Sequence, residues 1–154
     1  MTDISAIKRV VIKVGSGVIT LNSTDGTLRI DRNTIFELAA QINAMVSNGL
    51  DVAVVSSGAV ALGMEELEIS ERPPLMAQVQ ALAAAGQGML MQLWREAFDR
   101  HGLRVGQVLL THSDLSDRQR FLNVRATLDS LLAYSVIPII NENDTVMTDE
   151  ITVG

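Results

Sequence analysis

The chain has 154 residues, of which 47% are hydrophobic, 19% are charged and 3% are aromatic, and it contains no cysteine. This length and composition predict a globular domain with a real core, and they exclude a disordered chain, a disulfide framework and a thiolate nucleophile. A formal net charge of −6 argues against a nucleic-acid surface and against an anionic-membrane binder.

Short apolar runs alternate with helical patterns in the first half of the chain. Residues 10–14 are apolar apart from Lys13, which predicts a strand buried on both faces of a parallel sheet. A polar loop at residues 22–26 follows. Asp31 then precedes apolar residues at helical spacing that stop at Gly49, so we predict a first crossover helix there. Next come a second strand at residues 51–55 and a helix at residues 59–67.

The same alternation continues in the second half. Pro73 and Pro74 force a break, and residues 75–98 then have the apolar spacing of a long helix. The middle of this helix carries almost no bulk, so we expect another element to pack very closely there. The remaining predicted elements are a strand at residues 105–110, a helix for which Ser116 and Gln119 form a capping box, and a strand at residues 136–140.

Strands that alternate so regularly with helices predict an α/β fold, with a parallel βαβ sheet and helices on both of its faces. Ligands of such sheets bind outside the carboxyl ends of the strands. Polar loops follow all four predicted strands, at residues 15–17, 57–59, 111–114 and 141–144. We therefore expect one shared site at that edge.

The first of these loops has the chemistry of a phosphate site. Gly15 and Gly17 allow close backbone approach, Ser16 supplies a hydroxyl, and Lys13 would neutralise charge. The sequence fits neither a Walker A loop nor a dinucleotide fingerprint. The alternative interpretation is a tight turn with Lys13 reaching solvent.

The other loops leave more than one interpretation open. Ser57, Gly58 and Ala59 begin a helix whose N-terminus could bind a carboxylate, although Ser57 could equally be an ordinary helix cap. Residues 141–144 could hold a metal or a substrate ammonium, or could simply form a turn. His101 and His112 lack metal-ligand spacing, so we expect no histidine-based metal site.

Taken together, these positions resemble the amino-acid kinase family over nearly the whole chain. The stretches that carry the resemblance are residues 11–16, 55–59, 87–94, 105–111, 117–118, 120–123 and 139–144. The family transfers the γ-phosphoryl group of ATP, with Mg²⁺, to an acid group of a small substrate. The Asn-Glu-Asn-Asp run at residues 141–144 resembles the sequence found in one branch of the family. That branch converts L-glutamate to γ-glutamyl phosphate on the way to proline.

The resemblance implies a role for each candidate residue. Lys13 would stabilise the phosphoryl group in flight, and the backbone of Gly15 and Ser16 would hold phosphate oxygens. Glutamate would be bound by Asp144, which pairs with the α-ammonium, and by the group Ser57, Gly58, Ala59 and Asn141. The γ-carboxylate is already ionised at neutral pH, so no general base is needed. A homo-oligomer, feedback inhibition by proline and a cytoplasmic location are also implied, and no metal ligand is assigned to this chain.

The family continues beyond the point at which this chain stops. We therefore expect residues 1–154 to form the amino-terminal, glutamate-binding part of an amino-acid kinase domain, without the nucleotide-binding part, and to have little kinase activity. The last residues, 150–154, fall inside an expected hairpin. Two alternatives stay open: an acetylglutamate or aspartate kinase, which would share Lys13 but not residues 141–144, and a non-catalytic amino-acid-binding or assembly module.

Overall fold

The computed structural model describes residues 6–24 and 27–146. The expected hairpin at residues 150–154 lies outside this part of the chain. Within the described part, no helix is both long enough and apolar enough to cross a membrane.

Six strands form two sheets in the described part of the chain. They are β1 (Arg9–Val14), β2 (Thr20–Asn22), β3 (Leu28–Ile30), β4 (Asp51–Ser56), β5 (Arg104–Leu110) and β6 (Val136–Glu142). The main sheet is parallel throughout and has the order β1-β4-β6-β5, whereas β2 and β3 form a small antiparallel hairpin. The four strands predicted from the apolar runs are the four strands of the main sheet, with ends one or two residues away.

Among the described residues, five α-helices connect the strands. They are α1 (Arg32–Ser47), α2 (Ala59–Glu66), α3 (Met76–Asp99), α4 (His112–Ser116) and α5 (Arg118–Ala133), and 3₁₀ turns lie at Ser16–Val18 and Asp144–Val146. Asp31 caps α1 as predicted, since its carboxylate accepts hydrogen bonds from the Thr34 N–H and hydroxyl. The predicted α/β fold is confirmed.

Two local predictions were wrong. Asp117, not Ser116, caps α5, because its carboxylate accepts the Arg120 N–H, and the capping box is formed by Thr111 and Asp114 at the start of α4. In the sheet formed by the described residues, β1 is an edge strand and is not buried on both faces: Val11 is 63% exposed. The short strands β2 and β3 flank the segment predicted as a polar loop.

The two faces of the main sheet are covered unequally. One face packs against α1, α2 and α3, and the core there includes Trp94 and Phe98, whose rings stack 5.7 Å apart. The other face meets α5, which buries no residue completely. An open apolar groove of about 510 Å³ lies between α5 and the sheet, lined by Val11, Val55, Phe121 and their neighbours.

Helices α2 and α3 pack very closely where they cross. A methyl group added at Gly86 would lie 1.9 Å from the carbonyl oxygen of Ala59, and one added at Gly63 would lie 2.0 Å from that of Leu82. The small residues in the middle of α3 therefore serve contact within the chain, at least on the buried side that contains Gly86. On the opposite side of the same helix turn, Ala84, Ala85 and Gly88 are exposed.

Candidate active site

A cavity of about 410 Å³ opens at the carboxyl ends of β1, β4 and β6. Three of the four polar loops singled out in the sequence meet there. Its lining comprises Ser16, Leu28, Ser57, Gly58, Ala59, Val60, Ala61, Met64, Ser70, Arg72, Asn141, Glu142 and Asp144. The fourth loop contributes Thr111 and His112 to the apolar groove on the α5 face instead.

The turn from β4 into α2 gives the cavity one of its walls. Gly58 has a φ of +117°, in the left-handed region, and a methyl group at this position would lie 2.8 Å from Ile19 Cδ1. The left-handed conformation therefore favours glycine, and a methyl group would also displace the end of the buried Ile19 side chain. No side chain caps α2. The N–H donors of its first turn are consequently left for a bound anion, and Ala59, Val60 and Ala61 line the cavity.

Ser56, one residue before this turn, anchors it to the core. Its side chain is fully buried, and its hydroxyl accepts a hydrogen bond of 2.8 Å from the indole N–H of Trp94 on α3. The same hydroxyl donates to the carbonyl oxygen of Ser57. The end of β4, and with it the start of α2, is thereby fixed relative to the largest side chain of the core.

Asp144 and Arg72 bring opposite charges to the cavity. Burial raises the pKa of the Asp144 carboxyl above its ordinary value, and the nearby Arg72 guanidinium acts in the opposite direction. Removing a carboxylate from water without a close partner disfavours its charged form. Asp144 is thus an anion held at a distance from its countercharge, the arrangement that suits a cationic group of a ligand.

Asn141 lines the cavity with its amide already engaged. Its Nδ2 donates to Oε1 of Gln87 at 2.7 Å, and its Oδ1 accepts the N–H of Glu142 at 2.9 Å. The Gln87 Nε2 is buried and has no hydrogen-bond partner among the described residues. Asn141 therefore ties the end of β6 to α3, and this shapes the loop that carries Asp144.

Lys13 and Gly15 do not line this cavity, although Ser16 does. Side chains alternate along a strand, so Lys13 is on the α5 face of β1 together with Arg9 and Val11, and it is exposed. No hydrogen bond or ion pair joins Lys13 to another described residue. The structure thus places Lys13 on the opposite face of the sheet from the cavity, whereas Ser16, from the same candidate phosphate group, lines the cavity.

The turn at residues 15–17 suits a phosphate. A methyl group at either Gly15 or Gly17 would meet nothing within 4 Å, so the backbone of the turn is open to a ligand. Among the residues that the structure describes, no three carboxylate or imidazole groups converge as metal ligands.

Sequence reasoning missed Arg72, which lines the cavity although it lies in the loop between α2 and α3. It precedes two prolines, and this pair predicts a helix break without indicating a role for the residue before it. Ser70 and Met64 were likewise not expected at the site, since they come from the end of α2 and the loop behind it. Their places depend on how α2 folds back over the strand ends, which no local pattern specifies.

Comparison with known proteins identifies the group to which this arrangement belongs. The profile of the amino acid kinase family matches residues 8–154. The chain belongs to the amino acid kinase family. The parallel sheet flanked by helices is consistent with the fold of this family.

Similar curated proteins are glutamate 5-kinases. The chain is 51% identical to the glutamate 5-kinase of Geobacter sulfurreducens over 151 residues. It is 52% identical to the glutamate 5-kinase of Syntrophotalea carbinolica over the same length. Both alignments cover 98% of this chain and 39% of the relative. The glutamate 5-kinase of Shewanella oneidensis is 48% identical over 149 residues. The chain thus spans about two fifths of the length of the relatives it matches.

Proposed function

We propose that this chain is the glutamate-binding part of a glutamate 5-kinase, which transfers the γ-phosphoryl group of ATP to the γ-carboxylate of L-glutamate. The observation that carries the proposal is the single cavity in which Ser16, Ser57 to Ala59 and Asp144 meet. The identity of about 50% to glutamate 5-kinases supports the choice of substrate.

Each part of glutamate has a chemically suitable partner in this proposal. Asp144 pairs with the α-ammonium, and its environment favours such a cation because its carboxylate is otherwise poorly compensated. The turn at Ser57 and Gly58 and the first turn of α2 present donors to a carboxylate. Asn141 acts through its hydrogen bond to Gln87, which fixes the loop before Asp144.

The phosphoryl-transfer side of the reaction is assigned to Lys13, Gly15 and Ser16. Phosphoryl transfer depends mainly on positioning and charge neutralisation. Lys13 has no partner among the described residues, and the backbone around Gly15 is open, so both are available to phosphate oxygens. The proposal also includes ATP with Mg²⁺ as the second substrate and a place in proline biosynthesis. It further includes a homo-oligomeric state, inhibition by proline and a cytoplasmic location.

Binding of L-glutamate to the purified chain tests the proposal, with thermal unfolding as the readout. A ligand at 100 times its dissociation constant adds about 2.7 kcal/mol to the free energy of unfolding. We expect L-glutamate to stabilise the chain and Asp144→Ala to abolish this effect. Asp99→Ala, at the exposed end of α3, is the matched control and should leave the response intact.

The fluorescence of buried Trp94 gives an independent readout, because its indole N–H is bonded to Ser56 beside the cavity. An unchanged glutamate response in Asp144→Ala would refute the substrate assignment. Stabilisation by an amino acid with no γ-carboxylate, equal to that by glutamate, would favour a general amino-acid-binding module.

A further inference from the structure

Arg72 is the only arginine that lines the cavity within the described part of the chain, and no established role accounts for it. The residue lies in the loop between α2 and α3, and its side chain is exposed. No hydrogen bond or ion pair within 4 Å joins Arg72 to another described residue. By contrast, Arg9, Arg32 and Arg120 all pair with carboxylates.

Arg72 and Asp144 stand together between two cavities. Both residues, with Val60, line the candidate glutamate cavity and also a neighbouring cavity of about 370 Å³. The second cavity is otherwise lined by residues of the loop and of the start of α3: Pro73, Pro74, Met76, Val79 and Gln80. The two charges are near enough to interact, yet they form no ion pair within 4 Å.

Two consecutive prolines stiffen the backbone at Arg72. Pro73 restricts the backbone of the residue before it, and Pro74 fixes a second φ angle. A guanidinium presented from such a segment loses less freedom on binding than one on a flexible loop. The Arg72 guanidinium is therefore a partly preorganised cation at the cavity wall.

The geometry of an α-amino acid matches this pair of charges. Its ammonium and its α-carboxylate are attached to the same carbon atom, so the groups that recognise them must lie side by side. If Asp144 takes the ammonium, the α-carboxylate lies next to Asp144, where the cation is Arg72. Guanidinium groups bind carboxylates through two parallel hydrogen bonds.

We propose that Arg72 binds the α-carboxylate of the amino-acid substrate and, with Asp144, makes the cavity specific for a zwitterion. This proposal rests on the proposed function. It leaves the donors of the α2 N-terminus and the turn at residues 15–17 for the rest of the substrate, including the γ-carboxylate and the phosphoryl group.

The test compares L-glutamate with L-isoglutamine, in which an amide replaces only the α-carboxylate. Dissociation constants are measured by calorimetry for the 154-residue chain and its variants. A charge-assisted hydrogen-bonded contact corresponds to a factor of about ten or more. We expect the unmodified chain to prefer glutamate by about this factor, and Arg72→Leu to lose the preference by weakening glutamate binding without changing isoglutamine binding.

Two further variants complete the design. Arg72→Gln keeps a polar side chain and should behave as Arg72→Leu does, which keeps the test valid should the leucine variant fail to fold. Arg95→Leu, on the exposed side of α3, is the matched control and should keep the full preference.

The outcomes separate the two proposals. Glutamate binding with an unchanged preference in both Arg72 variants overturns the role of Arg72 and leaves the proposed function standing. Equal binding of glutamate and isoglutamine by the unmodified chain has the same meaning. Failure of the unmodified chain to bind glutamate at all overturns the proposed function and, with it, this inference.

Discussion

Asp144 illustrates a conflict between stability and binding at a single residue. Burial raises the pKa of its carboxyl, so the folded chain holds the Asp144 proton more tightly than the unfolded chain does. The stabilisation linked to this group is therefore present at low pH and is lost as pH rises through its raised pKa. At neutral pH the Asp144 carboxylate thus lowers the stability of the unliganded chain. Such a cost is expected at a binding site, where a ligand supplies the missing countercharge.

We predict that Asp144→Asn stabilises the unliganded chain at about pH 7 and that the gain disappears as pH falls below about 4. The amide has the same shape but no charge to desolvate. Urea unfolding of both proteins across this pH range measures the difference. An Asp144→Asn variant less stable than the unmodified chain at pH 7 would contradict the prediction.

Two separate constraints favour glycine at position 58. Its φ of +117° disfavours any side chain, and a methyl group would press on Ile19, which is itself fully buried. Gly49 has a positive φ of +85° as well, but a methyl group there would meet nothing within 4 Å. The two glycines therefore separate the cost of conformation from the cost of space.

Gly58→Ala should lower the free energy of unfolding by about 1–3 kcal/mol and weaken glutamate binding, because the turn that carries Ser57 must shift. Gly49→Ala should cost about 1 kcal/mol and leave binding unchanged. Chemical unfolding and calorimetric titration of both variants measure these effects. Equal losses of binding in the two variants would show that the turn at Gly58 has no special role.

At the scale of elements, the α2–α3 crossing sets the position of the cavity wall. Gly63 and Gly86 remove the side chains that would keep the helix axes apart, so the backbones touch. The N-terminus of α2 follows the end of β4 directly in the chain, and the contact with α3 sets the direction in which α2 leaves the sheet. The packing of α2 against α3 and the geometry of the candidate site are thus coupled, because both depend on the position of α2.

We expect Gly86→Ala to destabilise the chain by about 3 kcal/mol or more, since its methyl group would lie 1.9 Å from the Ala59 carbonyl oxygen. Gly88→Ala, in the same helix, should stabilise the chain by about 0.5–1 kcal/mol, because its methyl group meets nothing within 4 Å. Thermal unfolding of the two variants decides the matter. A Gly86→Ala variant as stable as Gly88→Ala would mean that the crossing can open without cost.

At the scale of the whole molecule, the described residues form a sheet with one well-covered face and one open face. The groove beside α5 leaves Val11 63% exposed and Phe121 44% exposed. Lys13 is on this open face, away from the cavity that Asp144 lines. The two halves of the proposed reaction therefore meet at the edge of the sheet, and this chain provides a full cavity for only one of them.

For the 154-residue chain itself we predict glutamate binding but turnover of MgATP below about 1 per second, the lower end of typical kinase rates. The reason is that the chain spans about two fifths of its relatives' length. Among the described residues, the proposed function assigns only the glycine turn and Lys13 to the phosphate side of the reaction. A coupled ATPase assay with and without glutamate measures this. The full-length glutamate 5-kinase of Geobacter sulfurreducens serves as the positive control, and comparable turnover by the shorter chain would refute the prediction.

The order of strands and helices could be predicted from the sequence because it depends on local signals. Apolar runs, the Asp31 cap and the proline pair act over a few residues, and each marks the start or end of an element. The loops that carry Ser57 and Asp144 were found for the same reason, since the carboxyl ends of parallel strands share one edge. The cap of α5 was misplaced by one residue because Ser116 and Asp117 are both good caps, and only the backbone geometry distinguishes them.

The sequence by itself determined the α/β class, the edge at which the site lies and most of its polar residues, because these depend on periodicity and on the direction of parallel strands. The tertiary structure alone decided that Arg72 faces the cavity with Asp144, that Lys13 is on the other face, and that β1 is an edge strand. These features depend on which elements become neighbours. The α2–α3 contact, made between residues far apart in the chain (Gly63 with Leu82, Gly86 with Ala59), helps to place the loop that carries Arg72, and no local pattern encodes it.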